Sequence, residues 1–86
     1  MGAFILSARR MKLLQQLITV LSEELNTDPS LLNETTSLEE LGMSSTDAES
    51  LAAVLRETFQ IEITEEDLEE MLTVGDILEC VREQKS

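Results

Sequence analysis

A chain of 86 residues is long enough for one domain with one hydrophobic core, and too short for a deep cleft between two lobes. Its 18 acidic and 6 basic residues give a formal net charge of −12, which disfavours binding to nucleic acids and anionic membranes. Histidine is absent and cysteine occurs once, which argues against the usual metal sites, the usual general base and an internal disulfide.

The apolar residues predict an all-α domain. They make up 42% of the chain but include only two aromatic residues, so the core must be built from aliphatic side chains, which favours packed helices. We expect one domain over residues 1–86, with residues 1–8 as a candidate disordered extension. The sequence contains no signal h-region, lipidation motif or apolar run long enough to span a bilayer, so we expect a cytoplasmic monomer.

The first predicted helix covers about residues 7–26, because apolar residues recur there at helical spacing. The residues of this stripe are Met11, Leu14, Leu17, Ile18, Leu21 and Leu25. A long loop follows over residues 27–44, where we expect four leucines to pin it to the core. A loop of this length in a compact domain is commonly functional. The pinning leucines are Leu31, Leu32, Leu38 and Leu41.

Three further helices complete a predicted four-helix bundle. The second covers residues 45–59 and is followed by a short apolar segment containing Ile61 and Ile63. The third, over residues 64–71, should be short and marginal because glutamates repeat there at like-charge spacing. We expect Leu68, Met71 and Leu72 to hold it in place. The fourth covers about residues 73–84.

Helix starts are marked by hydroxyl residues followed three positions later by an acid, the spacing of a capping box. The pairs that fit are Ser44 with Asp47, Thr46 with Glu49, Thr64 with Asp67, and Thr73 with Asp76.

The usual catalytic constellations are missing, so we expect a non-enzymatic protein. The carboxylates lack the spacing of a calcium-binding loop, and we predict no metal site. What remains is a run of hydroxyl residues, Ser44, Ser45 and Thr46, at the start of a helix. A helix N-terminus stabilises an attached phosphate, although these residues could simply cap the helix.

Three runs of residues form a pattern along the chain. In order, they are Leu41-Gly42-Met43-Ser44-Ser45-Thr46, then Leu55-Arg56-Glu57-Thr58-Phe59-Gln60-Ile61-Glu62-Ile63, then Thr73-Val74-Gly75-Asp76-Ile77. By the order and spacing of these runs, the chain from about Leu14 to the C-terminus resembles the acyl carrier protein family. In that family a Leu-Gly pair precedes an Asp-Ser-Leu triplet whose serine receives 4′-phosphopantetheine.

The resemblance implies that a magnesium-dependent phosphopantetheinyl transferase attaches 4′-phosphopantetheine from coenzyme A to Ser45, with Ser44 as the alternative position. Acyl groups would then be carried as thioesters, and in single-chain carriers of this kind they can enter the core. Candidate residues lining that space are Leu51, Leu55, Ile63, Leu68 and Val74.

The resemblance also implies that synthases and acyltransferases with basic docking patches bind the second helix. The candidate partner-binding residues are Met43, Thr46, Asp47, Glu49 and Glu57.

Three departures from the family pattern favour a specialised carrier. Ser44 stands in place of Asp, Thr46 in place of Leu, and Ser50 and Arg56 where acids are common. The pathway could be fatty-acid, polyketide or a dedicated lipid pathway. The alternatives are an unmodified acidic interaction module and a peptidyl or aminoacyl carrier, although the Gly-Gly-His/Asp-Ser run typical of the latter is missing.

Overall fold

The computed structural model describes the backbone of residues 2–85 and the side chains of residues 12–85. Within this range the chain forms four α-helices and no strand, which confirms the predicted all-α bundle. The helices are α1 (Gly2–Glu24), α2 (Ser45–Phe59), α3 (Glu65–Glu70) and α4 (Val74–Lys85), and a 3₁₀ turn lies at Pro29–Leu31.

The predicted boundaries are closest for α2 and least accurate for α1. The start of α1 predicted near Ser7 was wrong, because the backbone is helical from Gly2. The disordered extension predicted at residues 1–8 stays a prediction, since Met1 and the side chains of residues 2–11 lie outside the described residues. Helix α3 is the shortest, as expected, and has acids at five of its six positions.

A single apolar cluster holds the bundle together. Leu17 and Leu21 of α1 meet Leu51 and Leu55 of α2 there, all without solvent exposure. Ile77, Leu78 and Val81 of α4 complete the cluster. A fully buried leucine contributes about 1.5–3 kcal/mol, so aliphatic packing is the main stabilising term, as the scarcity of aromatic residues predicted.

The long loop before α2 is held by buried leucines and by backbone hydrogen bonds. Leu32 and Leu38 are buried and Leu41 is partly buried against the core. Leu31 was wrongly predicted to pin the loop: it is 69% exposed, because the 3₁₀ turn directs it outward while Leu32 points inward.

Backbone hydrogen bonds join this loop to the connection between α3 and α4. The Leu38 N–H donates to the Leu72 carbonyl at 2.9 Å, and the Gly75 N–H donates to the Glu34 carbonyl at 2.8 Å. A β-carbon at position 75 would lie 3.0 Å from that same Glu34 oxygen. Glycine therefore allows the loop to approach the first turn of α4 this closely.

Candidate functional site

A tight turn delivers the chain to the N-terminus of α2. The Gly42 N–H donates to the Glu39 carbonyl at 3.0 Å, and Gly42 has a φ of +68°. Residues with a β-carbon rarely adopt this left-handed conformation. The Leu-Gly pair noted in the sequence thus has a structural reason, since the turn sets where the next residues begin their helix.

Ser44 and Ser45 have different environments, although they are adjacent. Ser44 is the N-cap of α2 and forms a capping box with Asp47. The Asp47 N–H donates to the Ser44 Oγ at 3.2 Å, and the Ser44 N–H donates to the Asp47 Oδ2, also at 3.2 Å. Ser45 is the first residue of the helix and is exposed, and among the described residues its hydroxyl has no hydrogen-bond partner.

Capping boxes form at three of the four predicted places. Those at Ser44 and Thr64 are complete, and Thr73 exchanges the same pair of hydrogen bonds with Asp76. The capping box predicted for Thr46 and Glu49 was wrong, because Thr46 already lies inside the first turn of α2. One cap per helix suffices, and Ser44 occupies that position.

The environment of the Ser45 hydroxyl suits a phosphodiester. Residues 45 and 46 supply the first amides of α2, which have no preceding helical turn to bond to. These amides and the helix dipole favour negative charge at this end. An exposed hydroxyl without a hydrogen-bond partner at such a position fits a covalently attached 4′-phosphopantetheine group.

A groove of about 420 Å³ opens beside Ser45. Its walls come from the end of the long loop, the first turns of α2, and α3 with the connection that follows it. The residues lining it are Ser37, Leu38, Glu39, Met43, Ser44, Ser45, Ala48, Leu68, Glu69, Met71, Leu72 and Thr73.

The predicted partner-binding residues divide into three environments. Thr46, Glu49 and Glu57 are exposed on α2, whereas Asp47 is half-buried and engaged in the capping box. Met43 is half-buried and lines the groove. The acids available on this helix are therefore chiefly Glu49 and Glu57.

The predicted acyl-lining residues all belong to the core. Four of them, Leu51, Leu55, Ile63 and Val74, are at most 1% exposed and lie in the packed cluster. Leu68 is equally buried but also lines the groove beside Ser45. It is the one member of the predicted set that connects the core with the groove.

Leu72 was predicted to help hold α3, and this was wrong. It is 74% exposed and forms part of the groove wall. Two apolar residues in succession, Met71 and Leu72, cannot both face the core in an extended connection, and Met71 is the one that packs inward. That adjacency was a signal in the sequence that one of the two would be exposed.

The backbone of Leu72 is held by Asp76. The Leu72 N–H donates to the Asp76 Oδ2 at 2.8 Å, and the Thr73 N–H donates to the same oxygen at 3.1 Å. These two amides, that of Leu72 foremost, lower the pKa of the Asp76 carboxyl from its ordinary value. The carboxylate thus fixes the connection that forms the groove wall.

None of the described helices is long and apolar enough to cross a membrane. Among the described side chains, no group of three or more Cys, Asp or Glu residues is arranged to hold a metal ion.

A small helical bundle with an exposed serine at the start of its second helix is the arrangement expected of a carrier domain. Comparison with known proteins identifies the kind: residues 15–81 match the phosphopantetheine attachment site family. The chain belongs to the acyl carrier protein family, whose members are non-catalytic carriers with a covalently attached 4′-phosphopantetheine group.

Curated relatives support this assignment over most of the chain. It is 37% identical to the acyl carrier protein of Chlamydia caviae over 65 residues, which cover 74% of this chain and 84% of that protein. It is 37% identical to that of Wolinella succinogenes over 67 residues, or 77% and 88% of the two chains. It is 33% identical to that of Helicobacter pylori over 76 residues, or 87% and 97%.

Proposed function

We propose that Ser45 is the attachment residue and that the chain carries acyl groups as thioesters on the phosphopantetheine arm. The observation that carries this proposal is the contrast between the two serines: the Ser44 Oγ accepts the Asp47 N–H in the helix cap, whereas the Ser45 hydroxyl is exposed and has no partner among the described residues. A transferase can therefore reach Ser45 without breaking the cap.

The protein's own contribution to carriage is positional. Gly42 and Ser44 hold the start of α2, the first amides of that helix face the phosphate position, and the groove leads from Ser45 to Leu68. The attached group supplies the thiol that forms the thioester. Entry of an acyl chain between Leu51, Leu55, Ile63, Leu68 and Val74 would require these packed residues to separate.

We place the cargo in fatty-acid, polyketide or dedicated lipid metabolism, and the altered triplet favours the dedicated pathway. Ser44 provides no carboxylate before Ser45, and Thr46 provides no large apolar group after it. Arg56 interrupts the acids of α2, although its guanidinium contacts the Ile63 carbonyl. Synthases and acyltransferases with basic patches would meet Glu49 and Glu57, since complementary charge guides encounter. A cytoplasmic monomer is the form we expect to act.

The family match and the free Ser45 hydroxyl favour a modified carrier over an unmodified interaction module. The relatives are named acyl carrier proteins, which favours acyl over peptidyl or aminoacyl cargo. The unmodified interaction module and the peptidyl or aminoacyl carrier each predict an outcome different from that of the acyl carrier in the following experiment.

The test is the intact mass of the purified apo-protein after incubation with coenzyme A, magnesium and a broad-specificity phosphopantetheinyl transferase. We expect a gain of one phosphopantetheine in the wild type and in Ser44→Ala, and none in Ser45→Ala. A gain lost in Ser44→Ala and kept in Ser45→Ala would move the site, and no gain in any sample would favour the unmodified module. Subsequent loading with acyl or aminoacyl donors distinguishes the two cargo classes.

A further inference from the structure

Only two large hydrophobic residues are strongly exposed among the described side chains, and they have different surroundings. Leu31 is 69% exposed on the 3₁₀ turn, and Leu72 is 74% exposed between α3 and α4. Leu72 lines the groove that contains Ser45, and Leu31 does not. A single exposed leucine is common on protein surfaces, but Leu72 differs from Leu31 because it lies in the same groove as Ser45.

Leu72 belongs to an apolar patch. Met43, Met71 and Leu68 line the same groove, with the methionines half-buried and Leu68 fully buried. Methionine side chains adapt their shape to a bound surface. The groove therefore offers an apolar floor and an exposed apolar wall beside the residue that must be modified.

The exposed leucine sits on a fixed backbone. Its N–H donates to the Asp76 Oδ2 at 2.8 Å, and its carbonyl accepts the Leu38 N–H at 2.9 Å. The neighbouring pair Ser37 and Thr73 forms an antiparallel bridge. Little backbone entropy would be lost when a protein binds here, so the leucine is already positioned for contact.

Acidic residues indicate what kind of surface fits the groove. Glu39 and Glu69 are exposed and line it with Leu72, and the chain carries a net charge of −12. The complementary surface is an apolar side chain flanked by lysine or arginine residues, because opposite charges steer association and fix its register. An enzyme that reaches the Ser45 hydroxyl through this groove must cover the same residues.

We propose that Leu72 is an apolar docking residue for the enzymes that act at Ser45, contacting an apolar side chain framed by basic residues on the partner. The partner surface then extends from α2 across the groove to the connection between α3 and α4. This inference rests on the proposed function of Ser45, and it assigns a contact that lies outside α2.

The test compares Leu72→Ala with Leu31→Ala, which removes the same side chain from an equally exposed position outside the groove. Modification kinetics with coenzyme A, magnesium and a broad-specificity phosphopantetheinyl transferase are followed by intact mass. We expect kcat/KM to fall about tenfold in Leu72→Ala, equivalent to about 1.4 kcal/mol, mainly through KM. Leu72→Met should restore most of the loss, and Leu31→Ala should stay within about twofold of wild type.

A binding measurement separates docking from chemistry. In a Ser45→Ala background, which cannot be modified, the Kd for the transferase should rise about tenfold on Leu72→Ala and stay unchanged on Leu31→Ala. Equal effects of the two substitutions, or none, would overturn the docking role while leaving Ser45 modification intact. Absence of modification in the wild type would overturn the proposed function and this inference with it.

A further measurement distinguishes docking of an enzyme on Leu72 from packing of the protein's own pantetheine arm against this residue. If the arm were what Leu72 contacts, Leu72→Ala would leave the modification kinetics and transferase affinity unchanged. It would instead change the thiol reactivity of the modified protein, measured in a Cys80→Ala background so that one thiol remains. That result would replace docking by intramolecular packing and overturn the proposal.

Discussion

The Arg56 guanidinium donates a hydrogen bond to the Ile63 carbonyl at 2.7 Å, from the last turn of α2 to the residue just before the cap of α3. Residues 60–64, between α2 and α3, belong to no helix and have no strand partner within the described residues. From the other side, the Gln84 side chain donates to the Glu62 carbonyl and accepts the Glu62 N–H, both at 2.8 Å. Two side chains therefore satisfy backbone groups that a neighbouring strand would otherwise bond.

Arg56→Ala should lower the free energy of unfolding by about 1 kcal/mol, since the Ile63 carbonyl loses a charged donor in a partly buried hydrogen bond. The measurement is urea unfolding. Arg82→Ala is the matched control, because it removes one positive charge from an exposed residue of α4. Equal losses in the two variants would mean that net charge, and not the hydrogen bond, accounts for the effect.

Ser44→Ala and Ser45→Ala should differ in stability as well as in modification. Loss of the Ser44 cap removes the acceptor for the Asp47 N–H and should cost about 1 kcal/mol. Ser45→Ala removes a hydroxyl without a partner among the described residues and should change stability by less than about 0.5 kcal/mol. Both values follow from thermal or urea unfolding of the apo-proteins. A larger loss for Ser45→Ala would show that the cap is formed by the second serine.

The turn before α2 gives a test of backbone strain. Gly42 has a φ of +68° and no atom within 4 Å of the position of a β-carbon, so alanine would meet no clash but would adopt an unfavourable conformation. Gly42→Ala should cost about 1–2 kcal/mol of unfolding free energy. Gly42→Asn should cost less, because asparagine tolerates the left-handed region better. A larger loss of unfolding free energy in Gly42→Asn than in Gly42→Ala would mean that steric clashes, and not backbone strain, determine the cost at this position.

These residues also show what the sequence could predict. Caps and apolar periodicity are local signals, and they predicted α2 and the capping roles of Ser44, Thr64 and Thr73. The resemblance already favoured Ser45 over Ser44 as the attachment residue, and the hydrogen-bond geometry supports that proposal, because it engages the Ser44 Oγ in the helix cap. The groove was not predictable from local signals, because Glu39, Glu69 and Leu72 come together only when the long loop joins the connection after α3.

Arg56 illustrates the same limit. In the sequence it only interrupts a series of acids on α2, and its contact with Ile63 depends on how the chain returns after Phe59. The residue after Phe59, Gln60, adopts a left-handed conformation with a φ of 56°, which redirects the chain there. The periodicity of apolar residues carries no information on such a reversal of the chain. The sequence therefore identifies Arg56 only as a positive charge, and not as a side chain that stabilises the reversal.

Asp76 should make stability depend on pH in the acidic range. Its folded pKa is lowered, chiefly by the Leu72 amide, so it stabilises the folded state above its unfolded pKa of about 3.9. That contribution is lost as the pH falls through the lower folded pKa. The difference in unfolding free energy between wild type and Asp76→Asn should therefore shrink from pH 5 downward.

The measurement is urea unfolding of both proteins over a pH series, with Glu79→Gln as the control. Glu79 is an exposed acid of the same helix, α4, and its substitution removes one negative charge without touching the connection before the helix. A constant difference between wild type and Asp76→Asn down to the lowest pH would contradict the role assigned to the Leu72 and Thr73 amides.

The net charge predicts a response to salt. Repulsion among 18 acids in 86 residues opposes the compact state, and raising ionic strength shortens the screening length from about 10 Å at 0.1 M to about 3 Å at 1 M. The Tm should therefore rise with added sodium chloride.

Helix α3 concentrates this repulsion, with Glu66 and Glu70 both exposed and one turn apart. Glu70→Gln should raise the Tm at low salt, because it relieves roughly 0.2–0.5 kcal/mol of like-charge repulsion and removes a negative charge from the C-terminal end of α3. It should also reduce the salt dependence. A Tm that stays flat or falls with salt would show that other charges already compensate these carboxylates in the folded protein.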